Sequence, residues 1–262
     1  MSLTSDQIAQ AAQSLFKASQ DRAPIAPLTE TFPGITVEEA YQVQTINIDA
    51  RQSAGARVVG KKIGLTSPAM QEMLGVGEPD YGQLLDDMLL YQGVDFDAST
   101  LLQARIEGEI AFVMDQDLMG PGITPTDVAR ATAGVMPALE IIDSRVKDWK
   151  IKIQDTVADN ASAAVFILGA SLTPLGGLDL RHVGFVLSKN GQLAGTGAGA
   201  AVLGSPIQSV AWLVNKMGEM GVGVKAGEII LSGAASAAVP VAAGDSIHLV
   251  VDRLGEVACR FA

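Results

Sequence analysis

Three glutamates lie in two apolar stretches of the sequence, and their spacing suits the binding of a cation. Glu107 and Glu109 stand two residues apart in the stretch 105–113, whose β-branched and aromatic residues predict a strand. Strand side chains alternate between two faces, so both carboxylates point the same way. Glu140 is a third acid, in the apolar stretch 135–142. Neighbouring carboxylates on an apolar sheet repel each other and are costly to desolvate, and a hard divalent cation, which prefers oxygen ligands, is the simplest remedy.

The competing interpretation places Glu107 and Glu109 on the solvent face of an edge strand. A lone Glu-x-Glu pair would favour that interpretation. Because Glu140 lies in so apolar a stretch, the sequence favours a metal site formed by the three glutamates.

Two lysines and an aspartate precede these carboxylates. Lys61 and Lys62 are adjacent in the predicted strand 57–63, so one faces inward and the other outward. An inward lysine near carboxylates is a candidate catalytic group, because burial changes a lysine pKa readily. The alternative is a pair of hydrated surface lysines. Asp80 lies next to a proline and near a glycine, a context typical of a turn.

The bulk composition indicates a folded protein with neither nucleic acid nor membrane as a partner. The chain has 262 residues, 48% of them hydrophobic and 18% charged, which suits one large domain or a main domain with a smaller N-terminal piece. A formal net charge of −11 disfavours nucleic acid and anionic membranes. The single cysteine, Cys259, fits a reducing compartment. Without a membrane-spanning run or a signal-peptide pattern, the sequence predicts a soluble cytoplasmic protein.

The periodicity of the chain predicts helices first and then many short strands. A helix is expected over residues 5–20 with Ser5 as its cap, and a capping box at Thr36 begins a second helix that runs to about Ser53. Asn190–Gly191 is the favoured two-residue turn of a β-hairpin. Many strands with few helices predict a rolled or closed mixed sheet rather than a doubly wound parallel one.

Two other patterns are weak signals. The glycines of residues 195–200 are spaced loosely as in the dinucleotide-binding fingerprint, which belongs between the first strand and first helix of a βαβ unit. Here they follow a predicted hairpin, so we interpret them as small residues where backbones approach closely and expect no dinucleotide cofactor. His182 and His248 show no metal-ligand spacing, which disfavours zinc.

Four motifs give the sequence a resemblance to a known family. They are residues 60–67, 78–82, 107–112 and 148–162. Together they resemble the 2-keto-4-pentenoate (2-hydroxypenta-2,4-dienoate) hydratases, which belong with the 4-oxalocrotonate decarboxylases to the fumarylacetoacetate hydrolase superfamily. The resemblance implies an α+β fold: an N-terminal helical segment at 1–56, and at 57–262 a catalytic mixed β-sandwich roll of the fumarylacetoacetate hydrolase C-terminal-domain type.

The resemblance also implies the chemistry of the site. The three glutamates would hold Mg²⁺ or Mn²⁺. Lys62, in the family's Lys-x-Gly position, and Asp80 would be the acid–base groups, and Ser162 would orient substrate or water. The implied reaction adds water to 2-hydroxypenta-2,4-dienoate to give 4-hydroxy-2-oxopentanoate, in the meta-cleavage degradation of aromatic compounds.

Three other functions remain as alternatives. The first is 4-oxalocrotonate (2-oxohex-3-enedioate) decarboxylase: Asp80 favours the hydratase, whereas residues 237–241 look more like decarboxylase sequence. The second is a nicotinamide-dependent oxidoreductase that uses the glycines of 195–200. The third is a non-catalytic subunit that binds a partner decarboxylase. The family also implies a homo-oligomer, commonly a decamer, and allows a complex with a related decarboxylase.

Overall fold

The structure, a computed structural model, describes residues 2–262 except the side chains of residues 73 and 74. Its α-helices are α1 (Ser5–Asp21), α2 (Leu28–Thr31), α3 (Val37–Ser53), α4 (Pro68–Leu74), α5 (Pro125–Ala131), α6 (Ile153–Ala158) and α7 (Pro206–Gly218). Its strands are β1 (Val58–Gly64), β2 (Asp80–Leu85), β3 (Leu89–Leu90), β4 (Asp95–Phe96), β5 (Arg105–Met114), β6 (Thr132–Ile142), β7 (Ala163–Leu168), β8 (Gly184–Lys189), β9 (Gln192–Ala198), β10 (Ile229–Leu231), β11 (Val239–Pro240), β12 (Ser246–Val251) and β13 (Gly255–Phe261).

Two mixed sheets form the body of the protein. The larger has the order β2-β1-β10-β5-β6-β7-β3, with β11 also pairing with β5, and the smaller has the order β4-β13-β12-β8-β9. Both combine parallel and antiparallel pairs. Buried residues of the two sheets pack in one core, as Ile110 and Leu139 do with Leu249 and Val257. The predicted α+β architecture, a curled mixed sheet with N-terminal helices, is confirmed.

Capping boxes fix the first residues of both long N-terminal helices. In α1 the hydroxyl of Thr4 accepts a hydrogen bond from the Gln7 N–H, and the Gln7 side chain accepts one from the Thr4 N–H. The prediction of Ser5 as the cap was therefore wrong by one residue, because Thr4 is the residue with the extended backbone. In α3 the predicted box of Thr36 and Glu39 is present.

The N-terminal helices are attached to the segment that precedes β7. They share with α6 a buried apolar cluster made of Ile8, Ala11, Ala12, Leu15, Leu28, Ile35, Ala40, Val43, Val157 and Ala158. Asp155 of α6 also accepts hydrogen bonds from the backbone N–H and the hydroxyl of Thr29, at 3.0 and 2.9 Å. These contacts place α3 beside β2, the strand at the end of the larger sheet.

The glycines of residues 195–200 serve packing, as predicted. A Cβ at Gly197 would lie 2.1 Å from the carbonyl oxygen of Ala235, and one at Gly199 would lie 1.8 Å from that of Leu180. The hairpin turn before them is also confirmed, since Asn190 and Gly191 have φ of 53° and 74°.

Cys259 lies buried in β13. Burial raises the pKa of its thiol to about 12. It therefore acts as a small core residue. Among the described helices, none combines the length and the apolar character that a membrane span requires.

Candidate active site

Two strands in the middle of the larger sheet bring the three glutamates together. β5 and β6 are antiparallel, with Glu107 directly opposite Glu140, and Glu109 shares the face of Glu107 because it is two residues away. One carboxylate oxygen of each glutamate lies within 4.8 Å of the others. Glu109 and Glu140 are each only 1% exposed and Glu107 is half-buried. The alternative of solvent-facing glutamates on an edge strand is therefore wrong.

The surroundings of these carboxylates disfavour their negative charge. Burial is the largest cause in each case, and it raises the pKa of Glu107 to about 7. Burial also raises the pKa of Glu109, and the neighbouring Glu140 and Glu107 raise it further. The pKa of Glu140 is raised by burial as well, although Lys62 opposes that shift.

Several of the carboxylate oxygens lack a hydrogen-bond donor. Glu109 Oε2 accepts a hydrogen bond from the Gly233 N–H at 2.7 Å, whereas Glu109 Oε1 and Glu140 Oε2 have no donor among the described residues, and Glu140 Oε1 has only the ion pair with Lys62. Buried charged oxygens without partners are costly, and a hard cation satisfies them. The donor set therefore fits a divalent metal ion.

Lys62 extends from β1 to this group of carboxylates. Its Nζ lies 3.3 Å from Glu140 Oε1 and donates a hydrogen bond to the carbonyl of Ala161 at 3.1 Å. Burial lowers the pKa of Lys62, but Glu140 first and Asp80 next outweigh that effect, so the pKa stands above its ordinary value. The side chain is therefore an ammonium group fixed beside the carboxylates.

Lys61 lies on the opposite face of β1, as strand alternation requires, but it is buried there too. Its exposed fraction is 4%, against 3% for Lys62. Its Nζ forms an ion pair with Glu228. The alternative of two hydrated surface lysines is therefore wrong. Lys61, which was expected to face outward, is buried and paired with Glu228.

Asp80 is the first residue of β2, so its interpretation as a turn residue was wrong. It is 2% exposed. Its Oδ2 accepts a hydrogen bond from the Thr156 hydroxyl at 3.4 Å, while Oδ1 has no hydrogen-bond partner within the described part of the chain. Burial raises the pKa of Asp80, although Lys62 opposes the shift. Asp80 pairs with Gly64 of β1, and the missing side chain of that glycine makes space for the aspartate. A Cβ added at Gly64 would lie 2.1 Å from Asp80 Oδ1.

Ser162 ends a strained turn that contacts both Lys62 and Thr156. Asn160, Ala161 and Ser162 have φ of 56°, 51° and 55°, a left-handed run that persists only where the surroundings hold it. The carbonyl of Ala161 accepts the hydrogen bond from Lys62, and Ser162 Oγ lies 3.3 Å from Thr156 Oγ1. The turn therefore brings Ser162 to the same site as Lys62.

The structure adds three residues that the sequence reasoning missed. Thr156 lies inside the polar motif 148–162, which was the available signal for it. Tyr41 and Gln44 come from α3 and reach the backbone of Tyr81, the residue after Asp80. Nothing in their local sequence marks them, because both contacts join residues distant in the chain.

Known proteins match this chain along almost its whole length. The family described as fumarylacetoacetate (FAA) hydrolase C-terminal matches residues 93–262. The 2-hydroxyhexa-2,4-dienoate hydratase of Comamonas testosteroni is 49% identical over 251 residues, which are 95% of each chain. The 2-keto-4-pentenoate hydratase of Paraburkholderia xenovorans is 47% identical over 259 residues, 99% of this chain and 96% of that one.

A solved structure matches the whole fold as well. The 4-oxalocrotonate decarboxylase from Pseudomonas putida G7, complexed with magnesium and adipate, has a TM-score of 0.95 and 42% identity, covering 99% of both chains. Identities of this size over nearly full length establish kinship as well as a common fold. The chain belongs to the fumarylacetoacetate hydrolase superfamily and, within it, to the family of 2-keto-4-pentenoate hydratases and 4-oxalocrotonate decarboxylases.

Proposed function

We propose that the protein is a metal-dependent hydro-lyase that adds water to 2-hydroxypenta-2,4-dienoate and forms 4-hydroxy-2-oxopentanoate. The observation that carries the proposal is the group of three carboxylates, two buried and one half-buried, beside Lys62 and Asp80. Hydratases that are 47% and 49% identical over nearly the full length support the reaction type. The pathway it would serve is the meta-cleavage degradation of aromatic compounds.

Glu107, Glu109 and Glu140 are the proposed ligands of Mg²⁺ or Mn²⁺. Their oxygens without donors and their all-oxygen chemistry support a hard cation. The magnesium in the decarboxylase structure supports the choice of ion. Bound there, the ion supplies Lewis-acid stabilisation of the negative charge that develops on the 2-oxygen of the substrate.

Lys62 and Asp80 are the proposed acid and base. A proton delivered to C5 of the dienol gives a 2-oxo-3-enoate, a water then adds at C4, and a proton at C3 completes the net addition of one water. Lys62 is an ammonium group held at a fixed place by Ala161, within reach of the carboxylates. Glu140 and Asp80 raise its pKa, which opposes proton delivery. A divalent cation held by the glutamates would offset their negative charge and make the ammonium group a better acid. Asp80 has one oxygen without a hydrogen-bond partner, which suits it to take a proton from the water. Ser162 orients water or substrate.

The decarboxylase remains the second candidate, because a decarboxylase structure is 42% identical to this chain. A cation held by the same three glutamates would also stabilise the enolate left by loss of CO₂, so the metal ligands alone do not separate the two reactions. Asp80 supports hydration, because that reaction needs a base to take a proton from water, whereas loss of CO₂ does not.

A direct assay tests the function. Incubation with 2-hydroxypenta-2,4-dienoate and Mg²⁺ is expected to bleach the ultraviolet band of the dienol and to yield 4-hydroxy-2-oxopentanoate, identified by mass spectrometry with one oxygen from labelled water. A chelator should stop the reaction and added Mg²⁺ should restore it. Release of CO₂ from 2-oxohex-3-enedioate without hydration would instead identify a decarboxylase. A stable hetero-complex with no turnover by the protein alone would identify a non-catalytic subunit.

Gly64→Ala tests whether the position of Asp80 matters. The new Cβ would lie 2.1 Å from Asp80 Oδ1, so the aspartate must move. We expect kcat to fall by about 10- to 100-fold, because misplacement of a reacting group by about 1 Å has that cost. Gly184→Ala is the matched control, since no atom lies within 4 Å of its added Cβ. Equal activity of both variants would mean that the reaction does not depend on where Asp80 stands.

Assembly and location are predicted from the resemblance and the composition only. The family implies a homo-oligomer, with a decamer as the common size, and allows a complex with a related decarboxylase. A cytoplasmic location is proposed because the single cysteine fits a reducing compartment.

A further inference from the structure

Strand β2 lies at the end of the larger sheet, so one of its edges has no partner among the described strands. Side chains bond the backbone groups along that edge instead. The N–H of Tyr81 donates to the Tyr41 hydroxyl oxygen at 3.3 Å, and its carbonyl accepts from Gln44 Nε2 at 3.1 Å. Asn160 bonds both backbone groups of Gln83, at 2.8 and 2.9 Å. Buried edge groups need such partners, and here they come from α3 and from the strained turn.

Gln44 makes a second contact that joins β2 to α6. Its amide nitrogen also donates to the carbonyl of Val157 at 2.8 Å. Gln44 is 3% exposed, so no water replaces these bonds at low cost. Both hydrogens of one amide group are therefore used to hold two backbone segments at a fixed separation.

In each of those two segments, the residue just before the one bonded by Gln44 has its side chain in the candidate active site. Asp80 precedes Tyr81 and Thr156 precedes Val157, and Asp80 Oδ2 meets Thr156 Oγ1 at 3.4 Å. Gln44 thus fixes the distance between the backbones of β2 and α6, and that distance determines whether the side chains of Asp80 and Thr156 can contact each other. Tyr41 supports the same arrangement, because its ring stacks on that of Tyr81 at a centroid distance of 4.5 Å.

We propose that Gln44 is a positioning residue for water addition, acting through the backbone of Tyr81 and Val157 on Asp80 and Thr156. The inference rests on the proposed function, since it takes Asp80 as the group that activates water. It gives α3 a part in turnover that lies outside residues 93–262, the region that matches the hydrolase C-terminal family. In the part of the chain that the structure describes, the Gln44 side chain forms hydrogen bonds to Tyr81 and Val157 and none to the three glutamates or Lys62. We therefore expect Gln44 to affect kcat and not metal binding.

Gln44→Leu is the test, because leucine has similar size and no donor. We expect kcat for the dienoate to fall by about 10- to 100-fold, the cost of a small misplacement, with KM and the calorimetric Kd for Mg²⁺ within about threefold of the unchanged protein. Gln42→Leu is the matched control, since Gln42 lies two residues earlier on α3 and is exposed. Tyr41→Phe is the second variant if leucine prevents folding: it keeps the ring stack, removes the acceptor for Tyr81 and should lower kcat in the same direction.

A double-mutant cycle separates positioning from general loss of structure. In an Asp80→Asn background, Gln44→Leu should lower kcat by less than about threefold more, because two residues that act through one group are not additive. Full additivity, or an equal fall in kcat and Mg²⁺ affinity, would overturn the inference. So would unchanged kcat in Gln44→Leu while the unmodified protein hydrates the dienoate. Absence of hydration by the unmodified protein would remove the proposed function, and this inference with it.

Discussion

Glu109→Gln is expected to lower kcat by about 10³-fold or more, since a metal ion contributes several kcal/mol of transition-state stabilisation. The substitution keeps the size of the side chain and leaves an oxygen to accept the hydrogen bond from Gly233. It removes one negative charge from a group whose oxygens lie within 4.8 Å of each other. The remaining Glu107 and Glu140 should bind Mg²⁺ much more weakly.

The same substitution should make the metal-free protein no less stable. Ionised Glu109 is buried and repelled by Glu140 and Glu107, which is why its pKa stands well above the usual value. At neutral pH the folded metal-free protein must either keep this carboxylate charged or take up a proton there, and both cost stability because the carboxyl is ionised in the unfolded chain. Glutamine has neither cost. We therefore expect the Tm in chelator to be unchanged or higher, while calorimetric titration shows loss of Mg²⁺ binding. A lower Tm together with lost activity would indicate a structural residue instead.

A matched control is available on the opposite sheet. Glu256→Gln changes the same residue type on β13, where the side chain is exposed and pairs only with His248 among the described residues. Its activity and Mg²⁺ affinity should stay within about twofold of the unchanged protein, as expected for an exposed pair. Full activity of the unchanged protein in excess chelator would contradict the metal role altogether.

Local rules of strand and helix structure were enough to predict much of the fold and the grouping of the three glutamates proposed as metal ligands. Strand alternation places Glu107 and Glu109 on one face whatever the rest of the chain does. The capping box at Thr36 and the Asn190–Gly191 turn are short-range signals, and both are present in the structure. Glu140 required one non-local assumption, that β5 and β6 are neighbours, and the register of that pair confirms it.

Residues whose roles depend on long-range pairing were the ones that local reasoning misjudged. Asp80 has the neighbours of a turn residue, but pairing of β2 with β1 makes it the first residue of a buried strand. Lys61 was expected to face solvent, but it is buried and forms an ion pair with Glu228, which is distant in the sequence. Gln44 has no local signal in the sequence, and only the packing of α3 against β2 and α6 gives it two backbone carbonyls to bond.

The site also divides along the chain. Residues 93–262, which match the hydrolase C-terminal family, carry the three glutamates and Ser162. The earlier residues carry Lys62 and Asp80, together with the α3 side chains that hold β2. The proposed metal ligands thus lie inside the matched region and the proposed acid–base groups lie before it. The reaction is therefore tested most sharply at Asp80.

Asp80→Asn is expected to reduce water addition by about 10²- to 10⁴-fold, the usual contribution of a general acid–base group. Asparagine has the same shape and can still accept the hydrogen bond from Thr156, but it cannot take a proton from water. The carboxylates of the metal site are left unchanged. The calorimetric Kd for Mg²⁺ should therefore rise far less than in Glu109→Gln, because Asp80 is not one of the three carboxylates whose oxygens lie together.

Proton NMR in deuterated water separates the steps that this variant should spare from those it should stop. With Lys62 intact, deuterium should still enter C5 of the substrate as the dienol becomes the 2-oxo-3-enoate, which should accumulate. Hydration at C4 should be slow. Asp87→Asn, at an exposed aspartate just beyond the same strand, is the control and should behave as the unchanged protein. Equal loss of Mg²⁺ affinity and hydration in Asp80→Asn would mean that this buried carboxylate supports the structure of the site and does not activate water.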